Sequence, residues 1–319
     1  MNERRSLYPP VDPYDSGWLD VGDGHALYYE RVGTPGARPA VFLHGGPGGG
    51  MNENHRRQWD PARYDVLLFD QRGCGRSVPF AGLEANDTWA IVQDIERLRA
   101  MCGHDAWQVF GGSWGATLAL AYAQTYPERV TELVLRGVFL ARQKERDWLY
   151  RYGASEIMPD AWEDFLAEIP SEERGDLLAA YHKRLTGEDE SIRLSAARAW
   201  SLWEGHVATL LPDAALLDIF GNPAKALPFA RICATYFIHD FFLEEGQLLR
   251  DAHRLAAIPG IIVQGRHDIC TPPVSAWELA KAWSASDLWI VPDAGHSASE
   301  PGIVDALVRA TDHFAGGLS

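Results

Sequence analysis

Cysteine is scarce in this 319-residue chain: four residues, Cys74, Cys102, Cys233 and Cys270, lie far apart with no metal-ligand spacing. That excludes a disulfide scaffold or a zinc module and suits reduced thiols in a cytoplasmic protein. Long apolar runs are missing too, so no membrane span is expected. The first residues, MNERRSLYPPVDPYDSG, contain two arginines but no apolar stretch of a secretory signal. Positive charge is short, at 29 Lys and Arg against 44 Asp and Glu, a net −15. Arg56-Arg57 is too brief to make a basic patch, so a nucleic-acid partner is not expected. There are no internal repeats and no low-complexity segments.

Apolar residues make up 46% of the chain, enough for one large domain or a domain with an insertion. Near-continuous apolar strands end in glycine-rich loops: PAVFLHGGPGGG from Pro39, YDVLLFDQRGCGRS from Tyr64 and AWQVFGGSWG from Ala106. Between them, Thr88–Gly103 and the stretch after Gly115 carry apolar residues at helical spacing. Strands alternating with helices predict a parallel α/β sheet covered on both faces, with ligands at the carboxyl ends of its strands. The character changes near residue 141, where successive helices with acidic first turns follow. Strand-loop-helix units return at IPGIIVQGRHDICTPP and DLWIVPDAGHSASEP. The expected organisation is a core of residues 1–140 and 251–319, interrupted by a helical cap of residues 141–250. Scattered tryptophans such as Trp18, Trp59 and Trp107 read as core residues.

Gly111-Gly112-Ser113-Trp114-Gly115 matches G-x-S-x-G. In a chain with 30 glycines the match alone says little. Its setting, with a strand before and a helix after, makes it a nucleophile elbow. Such a turn pushes the serine hydroxyl clear of the sheet and beside the free N–H groups of a helix N-terminus. The competing reading is a serine that merely caps the helix. A serine nucleophile needs a base and an orienting acid, and in this setting they follow in the order Ser, Asp, His. Asp268 and His296 lie on the loops after the next two strands. His267 and Asp293 are poorer choices, since each sits too near its would-be partner in the chain. The loop Leu43–Gly50 is placed to supply a second oxyanion donor beside the Trp114 N–H, with Gly45 and Gly46 the candidates.

HGGPGGG, LFDQRGCGRS, GGSWGATLALAYAQTYPERV, LVLRGVF, AWSLWEG and AGHSASEP together resemble the proline iminopeptidases, serine peptidases of the S33 class. The resemblance runs from about Tyr8 to the C-terminus. It implies an α/β-hydrolase fold with an eight-stranded, mostly parallel sheet and a helical cap. It also implies release of N-terminal proline from peptides without a metal or other cofactor. Carried over by position, the triad is Ser113, Asp268 and His296, the oxyanion hole is the Gly46 and Trp114 backbone, and the carboxylate that holds the substrate amine is Glu204.

Glu204 also stands out from the helical pattern. Ile192, Ala196, Trp200 and Glu204 form one ridge, so a carboxylate continues an apolar stripe. Burying it is costly unless a cation meets it, whether the substrate's amine or a structural arginine. The family's ARIE stretch reads ARIC here, which puts Cys233 where a second amine-binding glutamate is expected. One lost ionic contact is worth about 2–3 kcal/mol of recognition. Either Glu204 suffices alone, or Asp240, Glu244 or Glu245 folds in beside it, or the substrate differs. A small peptide, amide or ester substrate is expected. The alternatives are an esterase, amidase or lactonase of the same fold, or a non-catalytic binding member. Oligomeric state is not legible in the sequence.

Overall fold

The computed structural model describes residues 4–316. Eight strands form one sheet: β1 Asp15–Gly22, β2 His25–Gly33, β3 Arg38–Leu43, β4 Tyr64–Phe69, β5 Trp107–Gly112, β6 Val130–Arg136, β7 Gly260–Gly265 and β8 Ser286–Val291. Their order is β1-β2-β4-β3-β5-β6-β7-β8. The β1–β2 and β2–β4 pairs are antiparallel, and every pair from β4–β3 onward is parallel. The parallel α/β sheet expected from the strand pattern is therefore present, with the eight strands that the family resemblance implies.

The side-chain alternation of the strands sorts two cores. Val41, Leu43, Leu67, Phe69, Leu133 and Leu135 face one side, and Phe42, Val66, Leu68 and Val134 face the other. The first face is covered by α1 Thr88–Cys102 and α2 Trp114–Thr125. The α1 helix opens on Asp87, which accepts from the N–H groups of Trp89 and Ala90, and ends at Gly103 in the left-handed conformation. The short helices α3 Gln143–Tyr150, α4 Ala154–Ile157 and α5 Pro159–Ala167 follow β6, then α6 Leu177–Thr186, α7 Glu190–Val207, α8 Ala214–Phe220, α9 Pro223–Ile238 and α10 Gln247–Arg250. All eight lie between β6 and β7. The α11 helix, Pro273–Ala282, and α12, Pro301–Phe314, close the chain, with Ile303 and Leu307 of α12 on the second face.

Two sequence expectations need correction. Trp59 and Trp107 are core residues, but Trp18 is 60% exposed. It lies on the edge strand β1, where only one neighbour covers it, and its indole N–H bonds the Arg76 carbonyl at 3.0 Å. On α7, Ala196 and Trp200 are fully buried, whereas Ile192 is largely exposed in the first turn. The ridge thus sinks inward only toward Glu204.

The glycines of the elbow are set by contact. A Cβ on Gly111 would stand 2.1 Å from the Gly115 carbonyl oxygen, and one on Gly115 would stand 2.0 Å from that of Leu43. Both obstacles are backbone and cannot swing away. Gly115→Ala is therefore expected to cost at least about 3 kcal/mol or prevent folding. Urea denaturation of the variant checks this, and stability within about 1 kcal/mol of the parent would disprove it.

Candidate active site

The candidate triad and oxyanion residues follow the carboxyl ends of adjacent parallel strands, whereas Glu204 comes from a helix, α7. The 44–50 loop leaves β3, Ser113 leaves β5, Gly137 leaves β6, Asp268 leaves β7 and His296 leaves β8. Ser113 has φ 58° and ψ −124°, a strained conformation for a residue with a side chain. Its N–H donates to the Arg136 carbonyl at 2.8 Å, which ties the elbow to the end of β6. The Ser113 side chain makes no capping hydrogen bond to α2, so the helix-cap explanation of this serine fails.

Asp268 and His296 are buried, and His296 Nδ1 lies 2.8 Å from Asp268 Oδ2. The same oxygen accepts from Gln264 Nε2 at 2.9 Å and Thr271 Oγ1 at 3.0 Å, while Oδ1 accepts the Thr271 N–H at 2.8 Å. Such a carboxylate is satisfied and rotationally fixed. The competitors point elsewhere: His267 is exposed, and Asp293 is half-exposed and paired with Arg4 at 2.5 Å.

His296 Nε2 sits 3.0 Å from Arg136 Nη1, which also donates to the His296 carbonyl at 2.9 Å. Because a guanidinium can only donate, Nε2 carries the lone pair and Nδ1 the proton directed at Asp268. No hydrogen bond joins Ser113 Oγ to His296 in this arrangement. Burial pushes the Arg136 guanidinium below its usual pKa. Gly137, at φ 56°, lets the imidazole approach, since a Cβ there would stand 2.8 Å from His296 Cε1.

On the other side of the serine, a Cβ on Gly45 would lie 3.5 Å from Ser113 Cβ. Gly46 has φ 123°, and a Cβ there would strike Gly48 N at 2.6 Å. Among the described residues, no acceptor takes the N–H of Gly46 or Trp114. Gln71 fixes both segments: its Oε1 accepts from Trp114 Nε1 at 2.8 Å, and its Nε2 donates to the His44 carbonyl at 2.9 Å.

Glu204 lies near the C-terminal end of α7. Its Oε1 accepts from the Tyr150 hydroxyl and faces Cys233 Sγ at 3.6 Å. Tyr150 stacks on Trp200 at 4.4 Å and meets Phe237 edge-on at 4.8 Å. Among the described residues, no arginine, lysine or histidine forms an ion pair with Glu204, so the structural salt bridge is not found. Burial raises the Glu204 carboxyl to about 7. Burial pushes the Cys270 thiol up, and the carboxylates of Glu204 and Asp268 push it in the same direction.

Cys233 is fully buried beside Glu204. The three carboxylates considered as its replacement are engaged elsewhere. Asp240 pairs with Arg146, Glu244 with Arg250 at 3.1 Å, and Glu245 accepts the Gln143 N–H at 3.0 Å. Sequence reasoning missed Arg136, Gly137, Gln264, Thr271 and Gln71. LVLRGVF carried a signal for the first two and LFDQRGCGRS for Gln71, each as part of a resemblance with no role attached.

The sheet order, the strained elbow and the loops at one sheet edge define an α/β hydrolase. A family model described as alpha/beta hydrolase fold matches residues 39–302. An esterase from Exiguobacterium antarcticum superposes with a TM-score of 0.66 at 18% identity, covering 94% of this chain and 98% of that one, a likeness of fold alone. Sequence relatives are far nearer. A proline iminopeptidase of Xylella fastidiosa is 57% identical over 97% of this chain and 99% of that protein. The Arabidopsis thaliana proline iminopeptidase is 52% identical over 97% of this chain and 82% of its own length. That of Neisseria gonorrhoeae is 44% identical over 96% and 98%. The chain belongs to the proline iminopeptidase family.

Proposed function

We propose that this protein is a serine aminopeptidase that releases N-terminal proline from small peptides. The observation that carries the reading is Glu204, a partly buried carboxylate with hydroxyl and thiol neighbours and, among the described residues, no cation paired with it. A protonated prolyl nitrogen supplies that cation. Phe237 and Tyr150 offer apolar faces to the pyrrolidine ring beside it. The helices of residues 141–250 act as the cap over a core of residues 1–140 and 251–319.

In the mechanism we infer, Ser113 Oγ attacks the prolyl carbonyl while His296 Nε2 turns from Arg136 to take its proton. Asp268 holds the imidazole and stabilises its charged form. The N–H groups of Gly46 and Trp114 receive the oxyanion. His296 then protonates the departing amine, leaving a prolyl ester on Ser113. Water, deprotonated by His296, attacks that ester and releases proline.

Cys233 beside Glu204 is the observation that favours a second reading, an esterase or amidase with uncharged substrates. The family membership weighs against it. Among the described residues no helix is long and apolar enough to cross a membrane. The four free cysteines support a cytoplasmic location.

The test compares kcat/KM on proline β-naphthylamide, its N-acetylated form and p-nitrophenyl acetate. A preference of at least about 100-fold for the free imine over the acetylated form is expected, the worth of one buried ionic contact. Ester turnover with no prolyl activity would overturn the proposal.

A further inference from the structure

The seam between the helical segment and the His296 loop is unusually closely joined. Ala208, the residue that closes α7, presents its carbonyl to two N–H groups of the catalytic loop: His296 at 3.0 Å and Ser297 at 2.7 Å. Glu300 completes the join with one carboxylate. Its Oε2 accepts the Gly295 N–H at 2.7 Å, and its Oε1 accepts the Leu210 N–H at 3.1 Å. The first donor adjoins His296, and the second lies two residues beyond Ala208. A Cβ on Gly295 would stand 2.8 Å from Leu210 N, so the two backbones touch with no room for a side chain.

Glu300 precedes Pro301 at the start of α12, yet its side chain makes no capping bond to that helix. Its carboxylate is spent on the seam. Glu204 lies four residues before Ala208, one turn up the same continuous helix. A shift at the seam therefore moves Glu204 relative to His296.

We propose that Glu300 is a positioning residue that registers the amine-holding Glu204 against the catalytic loop, and so sets selectivity for substrates with a free N-terminal imine. The inference rests on the aminopeptidase reading. In such a substrate one Cα separates the charged nitrogen from the carbonyl under attack, so the protein must fix that spacing closely. Small misplacements of bound groups are costly to rate. An ester without an amine makes no such demand.

The experiment uses the full-length wild type, Glu300→Ala, Glu204→Gln and the double variant. Each is assayed on proline β-naphthylamide and p-nitrophenyl acetate, with circular dichroism and thermal melts to confirm folding. Glu300→Ala is expected to lower kcat/KM on the prolyl amide about 30-fold and on the ester less than about 3-fold. In the Glu204→Gln background the same change is expected to cost less than about 3-fold on the amide, because the element it registers is already disabled. Equal losses on both substrates overturn the proposal, since they would mean that Glu300 supports only the His296 loop. A full loss that persists without Glu204, or no loss at all, also overturns it. Should Glu300→Ala fail to fold, Glu300→Gln keeps one acceptor and is expected to show the same split at smaller size; wild-type selectivity in that variant overturns the proposal. A wild type with no Glu204-dependent prolyl activity removes the aminopeptidase reading and this inference together. A wild type that has it, beside a neutral Glu300→Ala, removes this inference alone.

Discussion

Ser113→Ala is expected to lower kcat on proline β-naphthylamide and on p-nitrophenyl acetate alike, by about a million-fold. The common loss follows from position. Ser113 is held at φ 58° by a backbone bond to Arg136 and by glycines that admit no Cβ. Alanine fits the space and leaves the elbow intact, so melting temperature is expected to change little. A fluorophosphonate that labels the wild type stoichiometrically is expected to leave this variant unlabelled. Labelling that persists, or activity within 100-fold of the parent, about 2.7 kcal/mol in the barrier, would assign the nucleophile to another residue.

Glu204→Gln separates recognition from chemistry. It is expected to cost about 100-fold in kcat/KM on the prolyl amide and almost nothing on the ester, because only the first substrate brings a cation to the carboxylate. The pH dependence carries the same signature. Burial lifts the Glu204 carboxyl to about 7, so the ionised form needed for the amine is lost as pH falls through neutrality. The acid limb on the prolyl amide is expected to be steeper than the limb on the ester, which needs only the base. Cys233 sharpens this. A neutral thiol at 3.6 Å neither repels the carboxylate nor shares the substrate's charge, so on the acid side Glu204 is the protein group whose titration governs amine binding. Parallel acid limbs for the two substrates, or an equal loss on both in Glu204→Gln, would show that Glu204 does not hold the amine.

Strand-loop-helix periodicity foretold the sheet, and G-x-S-x-G foretold a sharp strand-to-helix turn at Ser113, because both depend on residue types close together in the chain. Asp268 and His296 were legible from loop order, and their 2.8 Å contact is now seen. Residues joined only through the fold were not. Gln264 reads as a lone polar residue in an apolar strand until β7 sets it beside Asp268. Arg136 reads as the end of a strand until its guanidinium is found against His296 Nε2. Trp18 misled for the opposite reason: hydrophobicity predicts burial, but an edge strand has too few neighbours to provide it. The carboxylates of Asp240, Glu244 and Glu245 were close in sequence to the gap left by Cys233, yet nearby partners claimed each of them.

One apolar core runs without a break from the α2 face of the sheet into the helices between β6 and β7. Trp114, which follows Ser113 at the elbow, packs its ring on Tyr236 at 5.0 Å and on Phe241 at 5.8 Å. Phe139 meets Phe237 and Phe241 in the same layer. The helical part is therefore no interchangeable module. Evolution or an engineer cannot rewrite the aromatic wall of α9 to suit a new side chain without also disturbing the residue beside the nucleophile. Substrate range and catalytic power are inherited together in this architecture, and a change of diet must be negotiated with the machinery that digests.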